Sequence, residues 1–374
     1  MKVALIHDWL TGMRGGEKCL EAFCEIFPDA TIFTLVHIKG SVSSTIENMN
    51  IKTSFVQKLP FVKKKYRSYL PLFPTAIEQF DVRDFDLILS SSHCVAKGVI
   101  PHAEAFHVSY CHTPMRYVWA MYQEYFGKDR LKGISKWIVP SFAHYLRMWD
   151  ITSNSRVDEF IANSENVKKR IWRYYRRKAT VIHPPVETKN TQLSTKDEGY
   201  FLIVSAFAPY KRVDLAIEAF NQLGEKLIVI GTGQEEKRLK KMAHSNIEFL
   251  GWIKSEDLGQ YYKGCRALIF PGEEDFGIVP LEAQCYGKPV IAYGRGGVLE
   301  TVKGDWLSGT KKAGKKSTGI FFEKQTTEQL IAAVKQFEKT EFDNQFIRNH
   351  ALKFDKEIFK KKIKQFIQQK LPKR

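Results

Sequence analysis

The sequence contains no Cys-x-x-Cys pair and no cysteine and histidine spacing of the kind zinc sites use. Its six cysteines, Cys19, Cys24, Cys94, Cys111, Cys265 and Cys285, stand singly, several in apolar patterns. This argues against a disulfide scaffold or a structural zinc module, and leaves buried thiols in a reducing cytosol as the expectation. Long apolar runs are lacking too. The opening MKVALIHDWL is too short for a signal peptide, and no stretch reaches the ~18 apolar residues of a membrane span, so any membrane contact is expected to be peripheral. A G-x-G-x-x-G dinucleotide fingerprint is missing after the first apolar strand, where Gly12-Met-Arg-Gly15-Gly16 stands, and His37 rather than an acidic residue follows the second strand. A nicotinamide oxidoreductase fares poorly on that ground. Acidic charge is short: 41 acidic residues face 58 basic ones, a balance of +17 that calls for a polyanionic partner or surface without saying which.

What the chain does have is ample core material, 44% hydrophobic and 13% aromatic, in 374 residues, enough for two domains. Strand-like and helix-like segments alternate through both halves. Lys2 to His7 predicts a strand, the glycine-rich turn follows, and Glu17 to Phe27 sets Leu20, Phe23, Cys24 and Phe27 on one helical face. Further buried strands are expected at Ala30 to Val36, Asp86 to Ser90 and Ala105 to Cys111, the last opening into His112-Thr-Pro-Met-Arg116. Periodicity fades over His183 to Gly199, and then the alternation restarts. The expected organisation is a Rossmann-like domain over 1–188, a second over 189–350, and a basic amphipathic helix in 351–374 that packs back on the protein.

The richest segment is Phe270-Pro-Gly-Glu-Glu274-Asp-Phe-Gly277-Ile278-Val279-Pro280-Leu-Glu282-Ala. A strand ends at Phe270, Gly277 turns the chain, and Pro280 is expected at the first helical position. Backbone N–H groups around Gly277, Ile278 and Val279 then face the favourable end of a helix dipole, a site for phosphate. Glu282, in the expected first turn, suits a vicinal diol such as ribose, and Glu274 on the preceding loop suits sugar hydroxyls. The competing reading is that both glutamates merely cap the helix.

Glu274 and Glu282 in the frame EDFGIVPLEA resemble the E-x7-E element of the retaining GT-B glycosyltransferases of family 4. The resemblance spans nearly the whole chain: Tyr210-Lys211-Arg212-Val-Asp214 is similar to that family's P-Y-K-R-x-D element. Gly231-Thr-Gly233, Phe249-Leu-Gly251-Trp252 and Gly296-Gly297-Val-Leu-Glu300 fall in the family's order. Gly15-Gly16 and Tyr110-Cys-His112-Thr-Pro-Met-Arg116 look like the branch with mannosyltransferases of bacterial surface polysaccharide assembly. The resemblance implies an α/β fold of GT-B type, two doubly wound domains facing a central cleft. It implies that Glu282 holds the ribose, Glu274 contacts the donor hexose, Lys211 with Arg212 neutralises the diphosphate, and the Trp252-Ile253 loop holds the base. Gly15 and Gly16 would let the first helix approach the phosphates, with His112 bonding the donor sugar. Ser205-Ala206 stands where relatives often carry Gly-Arg, so the usual second positive charge at the diphosphate is missing.

The expected activity is transfer of a hexose, with GDP-mannose favoured and a UDP-hexose as alternative, to a glycan or lipid-linked acceptor, without cofactor or metal. Asp84-Phe-Asp86 has a metal-binding form but opens a buried strand and is read as structural. Lys63, Lys64, Lys65 and Arg67, interleaved with aromatics and leucines, suit an anionic membrane, and equally a solvated surface loop. A basic nucleic-acid-binding protein without catalysis is the rival of another class; it leaves the carboxylates and glycine loops without a purpose.

Overall fold

The computed structural model describes residues 1–127, 133, 135–309 and 314–372, and the last two residues of the C-terminal segment lie outside them. The chain divides into two compact units, Met1–Pro185 with Glu357–Arg374, and Val186–Lys356.

In the first unit, seven parallel strands pair in the order β3-β2-β1-β4-β5-β6-β7. They are β1 Val3–His7, β2 Thr31–Thr34, β3 Asn50–Thr53, β4 Leu87–Ser92, β5 Phe106–Cys111, β6 Glu159–Ala162 and β7 Ala179–Val181. The central strands are wholly buried and read as continuous apolar runs because helices cover both faces, as parallel sheets require. Helices of this unit include α1 Gly15–Ile26, α2 Val62–Lys65, α3 Tyr122–Phe126, α4 Ser135–Thr152 and α5 Glu165–Tyr175. The strand order reverses between β1 and β4, and in open α/β sheets ligands bind outside the carboxyl ends of the strands at that reversal.

The second unit repeats the plan. Its parallel strands run β8 Tyr200–Val204, β9 Lys226–Ile230, β10 Ile247–Gly251, β11 Leu268–Phe270, β12 Val290–Tyr293, β13 Gly304–Trp306 and β14 Gly319–Phe322. They are ordered β10-β9-β8-β11-β12-β14-β13, with the reversal between β8 and β11. α6 (Val213–Leu223) follows β8, and α7 (Ile278–Cys285) follows β11. α7 begins two residues earlier than the proline predicts: Ile278 is its first residue and Pro280 its third. Gly277, at φ 90, adopts the left-handed conformation that only glycine reaches cheaply, and this starts the helix early. Glu282 is therefore the fifth helical residue, not part of the first turn.

α8 (Lys356–Lys370) returns the chain to the first unit. Phe359, Ile363, Phe366 and Ile367 bury their stripe in one cluster with Leu20, Phe23 and Tyr110. The rings of Phe23 and Phe359 stand 5.7 Å apart, and Lys360 pairs with Glu25 at 2.9 Å. Each such apolar side chain contributes about 1.5–3 kcal/mol on burial, so this helix is part of the first unit's core. The division at Pro185 and Val186 lies three residues before the boundary drawn from sequence, because Val186 already pairs with the second unit, donating to the Phe354 carbonyl at 2.9 Å. Asp86 closes the amino end of the first sheet by accepting from the Lys2 backbone at 2.8 Å.

Candidate active site

In the second unit the site grows from the carboxyl ends of β8 and β11. After β8 the chain makes a single 3-10 turn, Pro209–Lys211, and Arg212 takes a left-handed conformation (φ 51) before α6 begins. That reversal turns neighbouring side chains apart. Lys211 pairs through its Nζ with Glu274 Oε1, both largely buried, whereas Arg212 Nε donates to Asp214 at 3.2 Å. The loop after β11 is pressed onto the Lys211 backbone. A Cβ at Gly272 would stand 2.8 Å from Lys211 Cα, so only glycine permits the approach.

The other side of the Glu274 loop is fixed by Gly296 and Gly297. The Gly297 N–H donates to the Glu274 carbonyl at 2.8 Å, and a Cβ at Gly296 would come within 2.5 Å of the same oxygen. Gly231 and Gly233 play the same part at β8, where a Cβ would overlap Ser205 and Phe207 backbone. The glycine motifs thus hold backbones together around the strand ends.

At α7 the first turn presents Gly277, Ile278 and Val279. By helix geometry their N–H groups have no carbonyl four residues back within the helix, and the dipole makes this end attractive to an anion. Glu282 accepts a hydrogen bond from the Tyr262 hydroxyl at 2.8 Å. Burial, and then the Glu282 charge, push the Tyr262 hydroxyl far above its usual range, so it stays a donor. The tyrosine fixes the carboxylate, whose oxygens offer about four lone-pair positions, enough for a diol as well. Gly251 ends β10 with φ 71; Trp252 beyond it is 69% exposed, while Ile253 packs on the core.

In the first unit, β1, β4 and β5 bring a compact polar group to the sheet's carboxyl end. Asp8, directly after β1, is fully buried and accepts four backbone N–H bonds, from His93, Cys94, Val95 and Ala96, at 2.7–3.0 Å. His93 Nδ1 adds a contact at 2.9 Å. Burial alone would raise the Asp8 carboxyl, but the His93 interactions and the nearby His7 outweigh it and hold Asp8 well below the usual range. Asp8 ties the β4 turn to β1, which sets His93 against Trp9, edge on, at 4.5 Å between ring centres.

Gly15 and Gly16 open α1. A Cβ on Gly16 would lie 3.5 Å from His7 Cε1 and 3.7 Å from His112 Nε2, so this glycine faces both rings. His112, just past β5, has Nε2 2.8 Å from Ser91 Oγ, and its carbonyl accepts from Asn163 at 2.9 Å. Burial, then the neighbouring His93 and His7, lower the His112 pKa far below the ordinary histidine value, so the ring is neutral near pH 7. Glu17 in the first turn of α1 accepts from the Arg14 N–H at 3.1 Å. Burial raises its pKa, but the His7 imidazole 3.9 Å away and then Arg14 bring it below the usual carboxylate range.

Lys211, Glu274, Glu282 and the α7 start thus lie in the second unit with Arg212, Trp252 and Ile253; Gly15, Gly16 and His112 lie together in the first. Sequence reading missed Asp8, His7, His93, Ser91 and Tyr262. For Asp8 and His7 the signal was there, two polar residues ending a buried strand beside a glycine turn. Tyr262 sits in an apolar helical pattern and reads as core.

Residues 186–354 match the family model described as glycosyl transferases group 1, and residues 39–190 match that of glycosyltransferase family 4. An uncharacterised glycosyltransferase of Methanocaldococcus jannaschii is 31% identical over 156 residues, 40% of this chain and 44% of that protein. The O-antigen chain mannosyltransferase C of Escherichia coli is 27% identical over 166 residues, 40% of this chain and 43% of that one. The matched stretch therefore spans less than half the length of these curated relatives. Among solved structures, Anabaena HepE in complex with UDP-glucose superposes with a TM-score of 0.68 at 16% identity, covering 99% of this chain and 100% of its own. At that identity it speaks for the fold of two parallel-sheet α/β domains of GT-B type.

Proposed function

We propose that this chain is a family 4 glycosyltransferase, as its matches to the group 1 and family 4 models support, and that it moves mannose from GDP-mannose to a glycan or lipid-linked acceptor in surface polysaccharide synthesis, with retention of configuration and without a metal ion. The observation that carries this reading is the Lys211–Glu274 pair at the carboxyl ends of β8 and β11, in the same unit as the α7 start and Glu282.

The chemistry is cleavage of an anomeric carbon–oxygen bond to diphosphate. Negative charge builds on the departing phosphate oxygen while the sugar ring becomes cationic. We assign the leaving diphosphate to the Lys211 ammonium and the α7 N–H groups, charges and dipoles already in place before the reaction. Glu282, fixed by Tyr262, takes the ribose hydroxyls. Glu274 contacts the hexose hydroxyls, and its partner Lys211 sets its direction. His112, neutral and held by Ser91, offers a hydrogen bond to the sugar, while Gly16 leaves the start of α1 open to the phosphates. Arg212 is engaged with Asp214, so Arg14, on the loop before α1, is the candidate for the positive charge absent at Ala206. The acceptor hydroxyl attacks on the face the diphosphate leaves and passes its proton to a diphosphate oxygen, so the anomeric configuration is kept.

Mannose is favoured by the named mannosyltransferase among the relatives. A UDP-hexose is the second reading, favoured by the UDP-glucose bound in the Anabaena neighbour. A panel of nucleotide sugars with product NMR tests the proposal. GDP-mannose turnover with retained configuration, undiminished by EDTA, is expected. Inversion, or loss of activity in EDTA restored by a divalent cation, contradicts it. Peripheral contact with an anionic membrane through Lys63, Lys64, Lys65 and Arg67 belongs to the same proposal, since a lipid-linked acceptor lies at such a surface.

A further inference from the structure

We propose that a cavity at the amino ends of β6 and β7 is a binding site for an acidic oligosaccharide, held by one tryptophan face and two free cations, at the opposite end of the first sheet from His112. The inference rests on the proposed role in polysaccharide synthesis only for why such a glycan would be at hand.

The cavity has a volume of about 610 Å³, within the ~300–1,000 Å³ usual for small-molecule sites. It forms where α5 ends. That helix buries Val167, Ile171 and Tyr175, and its other aromatic residues are largely used in packing. Tyr174 stacks on Trp119 at 4.8 Å, and the Tyr175 hydroxyl donates to Asp150 of α4 at 2.9 Å. Trp172 is the exception: it is 52% exposed and lines the cavity, and among the described residues no other ring stacks on it. Arg176, directly after α5, is left-handed at φ 56, a position where glycine is usual and a β-carbon is costly. A basic side chain at this end suits the helix dipole, but Arg173 already supplies one in the last turn. Among the described residues neither Arg176 nor Lys178, which also lines the cavity, forms an ion pair.

The remaining charges decide the ligand class. Arg177 is a clasp: its guanidinium donates to the Asn154, Val157 and Asp158 carbonyls at 2.7–2.9 Å, which holds the chain entering β6. Lys370, at the end of α8, pairs with Glu159 at 2.7 Å, and the Asp158 carboxylate accepts from the His107 N–H at 2.7 Å. Both carboxylates are therefore fixed, and each keeps lone pairs for further donors. Arg176 and Lys178 are left for an anion, and the guanidinium can grip a carboxylate through two parallel bonds. An indole face, two cations and two fixed carboxylates together match a ring compound that carries both acid groups and hydroxyls. An acidic sugar is such a compound: its C–H face lies on the indole, its carboxylate meets Arg176, and its hydroxyls donate to Asp158 or Glu159. A nucleic-acid strand fits worse. The carboxylates repel its phosphodiesters, and the one aromatic ring lining the cavity offers no run of stacked bases.

The test is calorimetric titration of the intact chain with a galacturonic acid hexamer, with maltohexaose as the uncharged control and oligothymidylate as the nucleic-acid control. Wild type is expected to bind the acidic hexamer and barely the other two. Trp172→Ala and, separately, Arg176→Gly/Lys178→Ala are each expected to weaken that binding about tenfold or more. Arg176→Gly alone is expected to unfold at the same or a higher temperature than wild type, because glycine suits the left-handed backbone, so binding lost there is not folding lost. GDP affinity and donor hydrolysis are expected to stay at wild-type values in every variant. A chain that binds the hexamer through these residues but turns over no nucleotide sugar would support this site and refute the catalytic reading instead. The proposal is overturned if the galacturonate hexamer does not bind, or if the variants bind it as well as wild type. It is also overturned by an equal, variant-sensitive affinity for maltohexaose, by tighter binding of oligothymidylate, or by a parallel loss of GDP affinity in the variants.

Discussion

Gly16→Ala separates the stability of the first unit from its proposed role. Gly16 is the second residue of α1, with a right-handed backbone, so alanine fits the helix without strain. Its new Cβ would meet His7 Cε1 at 3.5 Å and His112 Nε2 at 3.7 Å, ordinary contact distances that require no rearrangement. Replacing glycine by alanine in a helix stabilises by up to about 1 kcal/mol through the entropy of the unfolded chain. For units of this size that shifts the melting temperature upward by at most about 2–4 °C. The methyl group nevertheless fills the space between the start of α1 and His112, where we place a donor phosphate and sugar. A ligand displaced there by about 1 Å loses on the order of 10²-fold in rate. Parallel measurements of thermal unfolding and of kcat/KM for GDP-mannose turnover should therefore move in opposite directions. Retained activity would refute the phosphate approach at Gly16. A loss of activity accompanied by an equal loss of folded protein would refute the packing argument.

Glu274→Gln keeps the size of the side chain but removes the charge facing Lys211; we expect kcat to fall at least about 10²-fold with KM changed little, measured by steady-state transfer kinetics, and unchanged kcat would contradict the assignment. Tyr262→Phe removes the donor to Glu282 at 2.8 Å, a loss of about 1 kcal/mol, so GDP affinity read by calorimetry should weaken roughly fivefold, and equal affinity would show that the tyrosine merely fills the core. His107 is fully buried between Ser90 and the Arg156 carbonyl, and burial lowers its pKa from 6.5 to about 4. Its folded value lies below its unfolded one, so the unfolded state binds the extra proton, and the stability present above pH 6.5 is lost as pH falls toward 4. Denaturant midpoints between pH 7 and pH 4.5 should fall by an amount equivalent to about 2–3 kcal/mol, and a His107→Asn variant should show a shallower slope; identical slopes would sink the assignment.

The repeated strand and helix alternation was legible because parallel strands buried on both faces leave apolar runs, and each ends at a glycine or a polar cluster. The start of α7 was less so. Proline marks a preferred first position, but Gly277 reaches a left-handed conformation and draws the helix back to Ile278. Periodicity showed that the apolar stripe of α8 needs cover; that the cover is Phe23 and Tyr110, more than two hundred residues away, is a matter of topology that no local pattern carries. The motif residues Lys211, Glu274 and Glu282 were readable, but their supports were not. Gly272, Gly296 and Gly297 act by permitting close backbone approach, and Tyr262 by one hydrogen bond, features that depend on which loops meet.

Calorimetric titration of GDP and UDP into the intact chain and into Lys211→Met tests the central claim most directly. The account predicts that a nucleoside diphosphate binds, GDP more tightly than UDP, and that Lys211→Met weakens it at least about tenfold while leaving unfolding unchanged. Heat from neither nucleotide, or equal affinity in the variant, would contradict it.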